Sequence, residues 1–337
     1  MRIVWDVSPL ALPRTGIGNY LLGSLAGLAA AAERRHERVA FAPTGPRGLR
    51  AIPAALEELP VERRIVFLPL ARFWREAWSR AGAPAAERVL GRFDVLHFSD
   101  WMFPPQRGGL RSTTIHDLIP LRFPQLVHRT TRRLHGAKYR NAARTCDLVF
   151  VNSRFTAGEV EEVLGVPGER IRVAHPGVAA GFRPDGEAAA TGRPYVLVLA
   201  ETDPRKNVGV VREACERLDG LELRSPAGHV ADGELARLYR GAAVFAYPSR
   251  YEGFGMPVLE AMASGTPVVA SSHPSLDEAC GDAALRADPD SQEEWAAAIE
   301  RALSERDELV RRGLAHAGGF TWERTGRVFL DAFEEAR

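Results

Sequence analysis

The chain has 337 residues, 45% of them hydrophobic, enough for two ordinary α/β cores and short of three. Lysine and arginine total 44 against 43 aspartates and glutamates, so no global field favours nucleic acid as a partner and any anion site must be local. Cys146, Cys215 and Cys280 are widely spaced and form neither a paired framework nor a CxxC pattern; they read as buried small hydrophobes of a reducing, cytoplasmic protein.

The first residues, Arg2-Ile3-Val4-Trp5-Asp6-Val7, alternate like a strand and lack the charged start and long apolar run of a signal peptide. Tyr20 to Ala32 is too short for a membrane span, contains two glycines and precedes Glu33-Arg34-Arg35, so an ordinary helix is expected. Strand-like runs then recur at Val39–Ala42, Ile65–Leu68, Val95–Phe98, Thr113–Ile115, Leu148–Val151 and Ile171–Val173, with helical stretches between them. Such alternation implies a mainly parallel sheet covered on both faces.

After Pro176-Gly177 the composition changes to a Gly-, Pro- and Ala-rich stretch ending at Gly192-Arg193-Pro194. A first domain over 1–180, a linker over 181–194 and a second α/β domain over 195–320 follow from it. The second series of strands comprises Tyr195–Leu199, Leu221–Arg224, Val244–Tyr247 and Val268–Ala270. The amphipathic end, 321–337, is expected to form a helix that packs back on the first domain. Two such domains are expected to face a shared cleft with the carboxyl ends of their strands, where open α/β sheets bind ligands.

The most informative run is Pro248-Ser249-Arg250-Tyr251-Glu252-Gly253-Phe254-Gly255-Met256-Pro257, continuing to Glu260 and Ser264-Gly265-Thr266-Pro267. Pro257 suits a helix start and Ser264-Gly265 its end, which places Glu252 in the preceding turn and Glu260 in the first helical turns. The amides of Gly253, Phe254 and Gly255 would meet an anion or sugar oxygens, because a helix start leaves N–H groups unpaired. Two glutamates eight apart are by themselves also compatible with plain surface carboxylates.

With its flanking residues, this run resembles the E-x7-E signature of retaining glycosyltransferases of family 4, the glycosyl transferases group 1, whose fold is GT-B: two Rossmann-like domains. The resemblance continues in Gly16-Ile17-Gly18-Asn19-Tyr20, similar to the family's glycine loop, and in Ile115-His116-Asp117-Leu118, similar to its His-Asp segment. Asp203-Pro204-Arg205-Lys206-Asn207 resembles its diphosphate element and Gly228-His229-Val230 its base-contacting segment.

The resemblance implies that Arg205 and Lys206 stabilise the leaving diphosphate, with Gly16 and Gly18 also near donor phosphates. It further implies that Glu260 holds the ribose, Glu252 and the amides after it hold the transferred sugar, and His116 bonds a sugar hydroxyl. His229 and Val230 would contact the base. Front-face attack in this family needs neither a covalent nucleophile nor a metal, and no cofactor beyond the nucleotide-sugar substrate is expected. Asp288-Pro289-Asp290 reads as a turn and not as a metal-binding DxD.

Two features depart from the family pattern. Ala200-Glu201 stands where many relatives carry Gly followed by Thr, Ser or Arg, and only 22 positions separate Lys206 from Gly228, so the second domain is expected to be shortened and its sheet narrower. Arg72-Phe73-Trp74-Arg75-Glu76-Ala77-Trp78-Ser79-Arg80, with Arg129, Arg132, Arg133, Lys138, Arg140 and Arg144, reads either as packed helices with solvated arginines or as contacts to an anionic membrane carrying a lipid-linked acceptor. The functional expectation is transfer of a sugar, mannose first, to a glycan or lipid-linked acceptor. The alternatives are a phosphorylase or synthase of similar architecture, and a non-catalytic GT-B protein binding a glycan or partner enzyme.

Overall fold

The computed structural model describes every residue except 14, 33–35, 100–101, 190–191, 200–201 and 229. The chain divides into two compact units, Met1–Gly177 with Trp322–Arg337, and Val178–Thr321. In the first unit β1 (Arg2–Asp6), β2 (Glu37–Thr44), β3 (Glu62–Phe67), β4 (Val95–Phe98), β5 (Leu110–Ile115), β6 (Leu148–Val151) and β7 (Ile171–Val173) form one sheet in the order β3-β2-β1-β4-β5-β6-β7. Every pairing is parallel. The central strands β4 and β6 are buried at every position, as strands covered on both faces must be.

Helix Gly16–Ala31 occupies the stretch excluded as a membrane span, and no helix among the described residues is long and apolar enough to cross a bilayer. It packs on helix Trp322–Glu335 at two glycines. A Cβ at Gly27 would lie 1.7 Å from the Trp322 carbonyl oxygen, and one at Gly326 would lie 1.9 Å from the Gly27 carbonyl carbon. Phe329 of the same C-terminal helix stacks on Phe150 of β6 with ring centroids 4.0 Å apart, and both rings are fully buried. Burying a ring of this size stabilises by roughly 1.5–3 kcal/mol, so the helix belongs to the first core by packing rather than by sequence position.

In the second unit β8 (Tyr195–Leu197), β9 (Glu222–Arg224), β10 (Val244–Tyr247), β11 (Val268–Ser271) and β12 (Leu285–Ala287) form a parallel sheet in the order β12-β11-β10-β8-β9. It is narrower than the first sheet, by two strands. Strand β12, absent from the sequence reading, has only three residues and carries Arg286, which bonds the carbonyls of Ser271 and His273. Residues 181–194, read as a linker, lie in this unit, and Phe182 is buried against Tyr239. The three cysteines are buried free thiols.

Candidate active site

Strand order decides where each sheet opens. Chain connections run from β8 to its neighbour β9 on one side and then cross to β10 on the other, so β8 and β10 flank the topological switch point of the second sheet. Ligands of open α/β sheets bind outside the carboxyl ends of strands at such a point. The Asp203–Asn207 segment follows β8, and the Pro248–Gly255 segment follows β10.

These two segments meet. Lys206 Nζ lies 2.5 Å from Glu252 Oε1 and 2.6 Å from the Tyr247 hydroxyl, with the Tyr247 ring centroid 4.7 Å away. Glu252 Oε1 also accepts from the Tyr247 hydroxyl at 2.9 Å and from Ser249 Oγ at 2.5 Å. Burial alone would raise the Glu252 pKa; the Lys206 charge and hydrogen bond, with the Ser249 hydrogen bond and Arg205, outweigh it and hold the carboxyl below its ordinary range. The same environment pushes the Tyr247 phenol up, through burial first and the Glu252 charge second.

Local structure fixes these positions. Pro204–Lys206 is a single 3-10 turn capped by Asp203, whose Oδ1 accepts from the Arg205 amide at 3.0 Å, and Asn207 closes it in the left-handed region at φ 52°. The Arg205 guanidinium bonds Asp203 Oδ2 at 2.5 Å, and its carbonyl accepts from the Arg250 amide at 2.9 Å, tying the two loops together. Helix Met256–Ala263 starts after Gly255 at φ 103° and ends at Ser264-Gly265, with Gly265 at φ 76°. A Cβ at Gly255 would stand 2.6 Å from Leu276 Cδ2, so this turn requires glycine twice over, by dihedral and by space.

Glu260 lies inside that helix, 8% exposed, with the Tyr239 hydroxyl 3.4 Å from Oε2. Burial, and then the Asp232 charge, raise its pKa to about 7 against the lesser lowering by the Tyr239 hydrogen bond. Gly253, Phe254 and Gly255 are buried; the Phe254 side chain packs near Phe320, so only its backbone is available to a ligand. Val230 is half-buried against the second core, while His229 and Ala200-Glu201 lie outside the described residues. Asp288-Pro289-Asp290 follows β12 as a turn, with Asp290 paired to Arg250 and the Pro289 carbonyl accepting from Asn207 Nδ2 at 2.6 Å.

His116 and the Gly16–Gly18 segment belong to the first unit. Its switch point lies between β1 and β4, because the chain goes β1-β2-β3 outward and then returns to the other side of β1. His116, just after β5, meets the Tyr20 ring edge-on at 4.9 Å, and both line a small cavity with Trp5, Ile17, Ser99 and Thr114. The glycines form the first turn of helix Gly16–Ala31, a correction to the loop expected from their pattern. Thr15 makes no side-chain cap there, and a Cβ on Gly16 would meet nothing within 4 Å.

Tyr247, Ser249, Asp203 and Tyr239 were not among the residues expected to act. The available signal was positional: Tyr247 is the last residue of an otherwise apolar strand, at the carboxyl end where sites form.

The family model for Glycosyltransferase Family 4 matches residues 15–181, and that for Glycosyl transferases group 1 matches residues 226–315. The O-antigen chain mannosyltransferase B of Escherichia coli is 26% identical over 382 aligned positions, covering 99% of this chain and all of that protein. A D-inositol 3-phosphate glycosyltransferase of Acidothermus cellulolyticus is 30% identical over 311 positions, 74% of this chain and 69% of that one. Among solved structures, a sucrose-phosphate synthase from Thermosynechococcus elongatus has a TM-score of 0.73 at 18% identity, covering 99% of this chain and 98% of that one. The Anabaena protein HepE in complex with UDP-glucose has a TM-score of 0.67 at 14% identity, over 99% and 100% of the two chains.

Proposed function

The chain belongs to the group 1 glycosyltransferases, enzymes of the GT-B fold, and on that premise we propose that it transfers a sugar, mannose first, from a nucleotide-sugar donor to a glycan or lipid-linked acceptor in polysaccharide or glycoconjugate assembly. An enzyme, and not a non-catalytic binder, follows from that membership. The observation that carries the donor assignment is the convergence of Lys206, Arg205 and Glu252 at the switch point of the second sheet. Mannose is supported by the mannosyltransferase from Escherichia coli; the UDP-glucose complex of HepE favours a uridine donor as the second reading.

An ammonium has three N–H groups. Two of those on Lys206 are engaged by Tyr247 and Glu252, leaving the third for a diphosphate oxygen. Charge building on the leaving diphosphate would be stabilised there and by Arg205, held by Asp203 and by the loop after β10. Glu252 would accept a hydroxyl of the transferred sugar, beside the backbone of Gly253, Phe254 and Gly255. Glu260 would accept ribose hydroxyls, with Val230 and His229 near the base. From the first unit, His116 would bond a sugar hydroxyl, and the uncapped amides at Gly16 to Gly18 would receive anionic oxygens.

Retention follows if the acceptor hydroxyl attacks on the face the phosphate leaves. The new glycosidic bond forms as the sugar–phosphate bond breaks, and a phosphate oxygen takes the hydroxyl proton. Glu252 and Glu260 then have no glycosidase-type roles as acid and nucleophile. Charge neutralisation by Arg205 and Lys206 makes a metal unnecessary, so turnover is expected to persist in excess chelator.

The test is release of nucleoside diphosphate from a panel of donors, GDP-mannose and UDP-glucose included, with the product anomer read by NMR. One donor turned over with its configuration kept supports the proposal. An inverted product overturns retention, and absence of turnover with every donor and acceptor offered overturns the donor assignment.

A further inference from the structure

His116 stands in a short turn after β5 whose ends are anchored and whose middle is left partly open. Ile115 and Leu118 are fully buried in one apolar cluster with Tyr139, while His116 and Asp117 between them are half-buried. A ring carried at such a place is only as well aimed as the backbone on either side of it. The Asp117 side chain begins to close the turn, its Oδ1 accepting from the Ile119 amide at 2.9 Å.

Two consecutive residues of helix Arg129–Thr145 complete the closure. Lys138 Nζ donates to the Thr114 carbonyl, and the Tyr139 hydroxyl donates to the Asp117 carbonyl at 2.9 Å. Neighbouring helical side chains point about 100° apart, so both reach the turn only because it lies over the helix from residue 114 to residue 117. The one proton of Tyr139 is engaged by Asp117, so at the 3.3 Å contact with the hydroxyl His135 Nδ1 is the donor. From the sheet side, buried His97 of β4 meets Thr114 Oγ1 at 3.1 Å through Nε2 and Ser112 Oγ at 3.0 Å through Nδ1. Tyr20, edge-on to the His116 ring, is itself held by its hydroxyl on the Ala174 carbonyl at 2.6 Å.

The cations of this helix read from the sequence as solvated or membrane-facing, and Lys138 is neither: it is fully buried. Burying an ammonium costs far more than burying an apolar side chain of similar length, so its place on that helix face is explained by the carbonyl it holds and not by the space it fills. We propose that Lys138 and Tyr139 are positioning residues for His116, clamping the carbonyls on both sides of it so that its ring meets the transferred sugar in one orientation. The proposal rests on the reading of His116 as the ligand of a sugar hydroxyl. A reacting constellation needs this kind of support, because groups left to wander by a fraction of an ångström lose much of their effect.

The test is release of nucleoside diphosphate by the full chain from GDP-mannose or UDP-glucose, for His116→Ala, Tyr139→Phe, Lys138→Met and each of the last two combined with His116→Ala. Tyr139→Phe and Lys138→Met should each lower kcat by about tenfold to a hundredfold, the effect of a small misplacement of a reacting group, with nucleoside diphosphate affinity, assigned to the second unit, unchanged. With His116 already alanine, either substitution should lower kcat by less than about twofold further, because no ring is left to aim; a merely structural role would give the full loss again. Tyr139→Phe keeps its ring in the core, so it decides the matter even where Lys138→Met fails to fold. NMR gives a reading independent of turnover: the imidazole signals of His116, displaced by the Tyr20 ring, should move toward those of a free histidine in Tyr139→Phe. Unchanged His116 signals, or losses that simply add to that of His116→Ala, would overturn the clamp. Turnover untouched by His116→Ala would remove the sugar-ligand reading and the proposal with it, whereas a loss in His116→Ala with none in Tyr139→Phe would remove the clamp alone.

Discussion

Lys206, Tyr247 and Glu252 form a triangle in which each member touches the other two, so removing any one alters the charge state and position of the rest. Lys206→Ala is expected to cost about 10²–10³ in kcat, the range for losing one preorganised group at a developing anion. Tyr247→Phe keeps the ring under the ammonium and loses only the hydroxyl; kcat is expected to fall by about tenfold with the fold intact, as steady-state kinetics beside circular dichroism would show. Glu260 supplies a pH signature. Its folded pKa of about 7 lies above the ordinary 4.5, so the native state binds more protons than the unfolded chain between those values. Stability therefore falls as pH rises from 4.5 to 7, and above 7 the ionised, buried carboxylate costs roughly 3 kcal/mol. Glu260→Gln should raise the melting temperature at pH 8 and leave it unchanged at pH 4. If ribose hydroxyls bind the carboxylate, donor affinity in the wild type should rise with pH up to about 7 and then level off, and a flat profile would remove Glu260 from the nucleotide site.

At the level of elements, most of the fold was legible because its signals are local. An apolar run such as Leu148–Val151 is a strand to the residue, since a strand buried on both faces has no polar position to blur its ends. The short β12 was not legible: its middle residue, Arg286, is explained only by the carbonyls it reaches across the sheet. The Gly16–Gly18 pattern, read as a loop from its resemblance to the family's glycine loop, is instead the first turn of helix Gly16–Ala31, even though glycine is a poor helix former. This helix offers a test of close approach. Gly16→Ala adds a methyl to open space and costs the protein nothing sterically, so a large loss of donor or acceptor affinity would place a ligand against that turn. Gly326→Ala forces backbone against backbone at Gly27 and should destabilise by about 1–3 kcal/mol or more, seen as a lower denaturation midpoint.

For the whole molecule, repetition of one topology explains why two distant stretches of sequence matter. Each sheet reverses direction once, and the residues singled out by motif, His116 and Gly16 in one unit and Lys206 and Glu252 in the other, stand at or beside those reversals. Motifs revealed the family because backbone-demanding glycines and charged partners are written in short runs. Tyr247 was invisible for the opposite reason, because a strand residue acquires a site role only through the neighbours the sheet order gives it, and Tyr239 because only packing brings helix Asp232–Gly241 beside Glu260. The most direct measurement is calorimetric titration of the purified protein with GDP-mannose, UDP-glucose and related donors in chelator, repeated on Glu260→Gln and Lys206→Ala. Selective binding of one donor, weakened at least tenfold by either substitution, is the expected result; well-folded protein that binds no nucleotide sugar, or binds one unaffected by both changes, would contradict a donor site built on the second sheet.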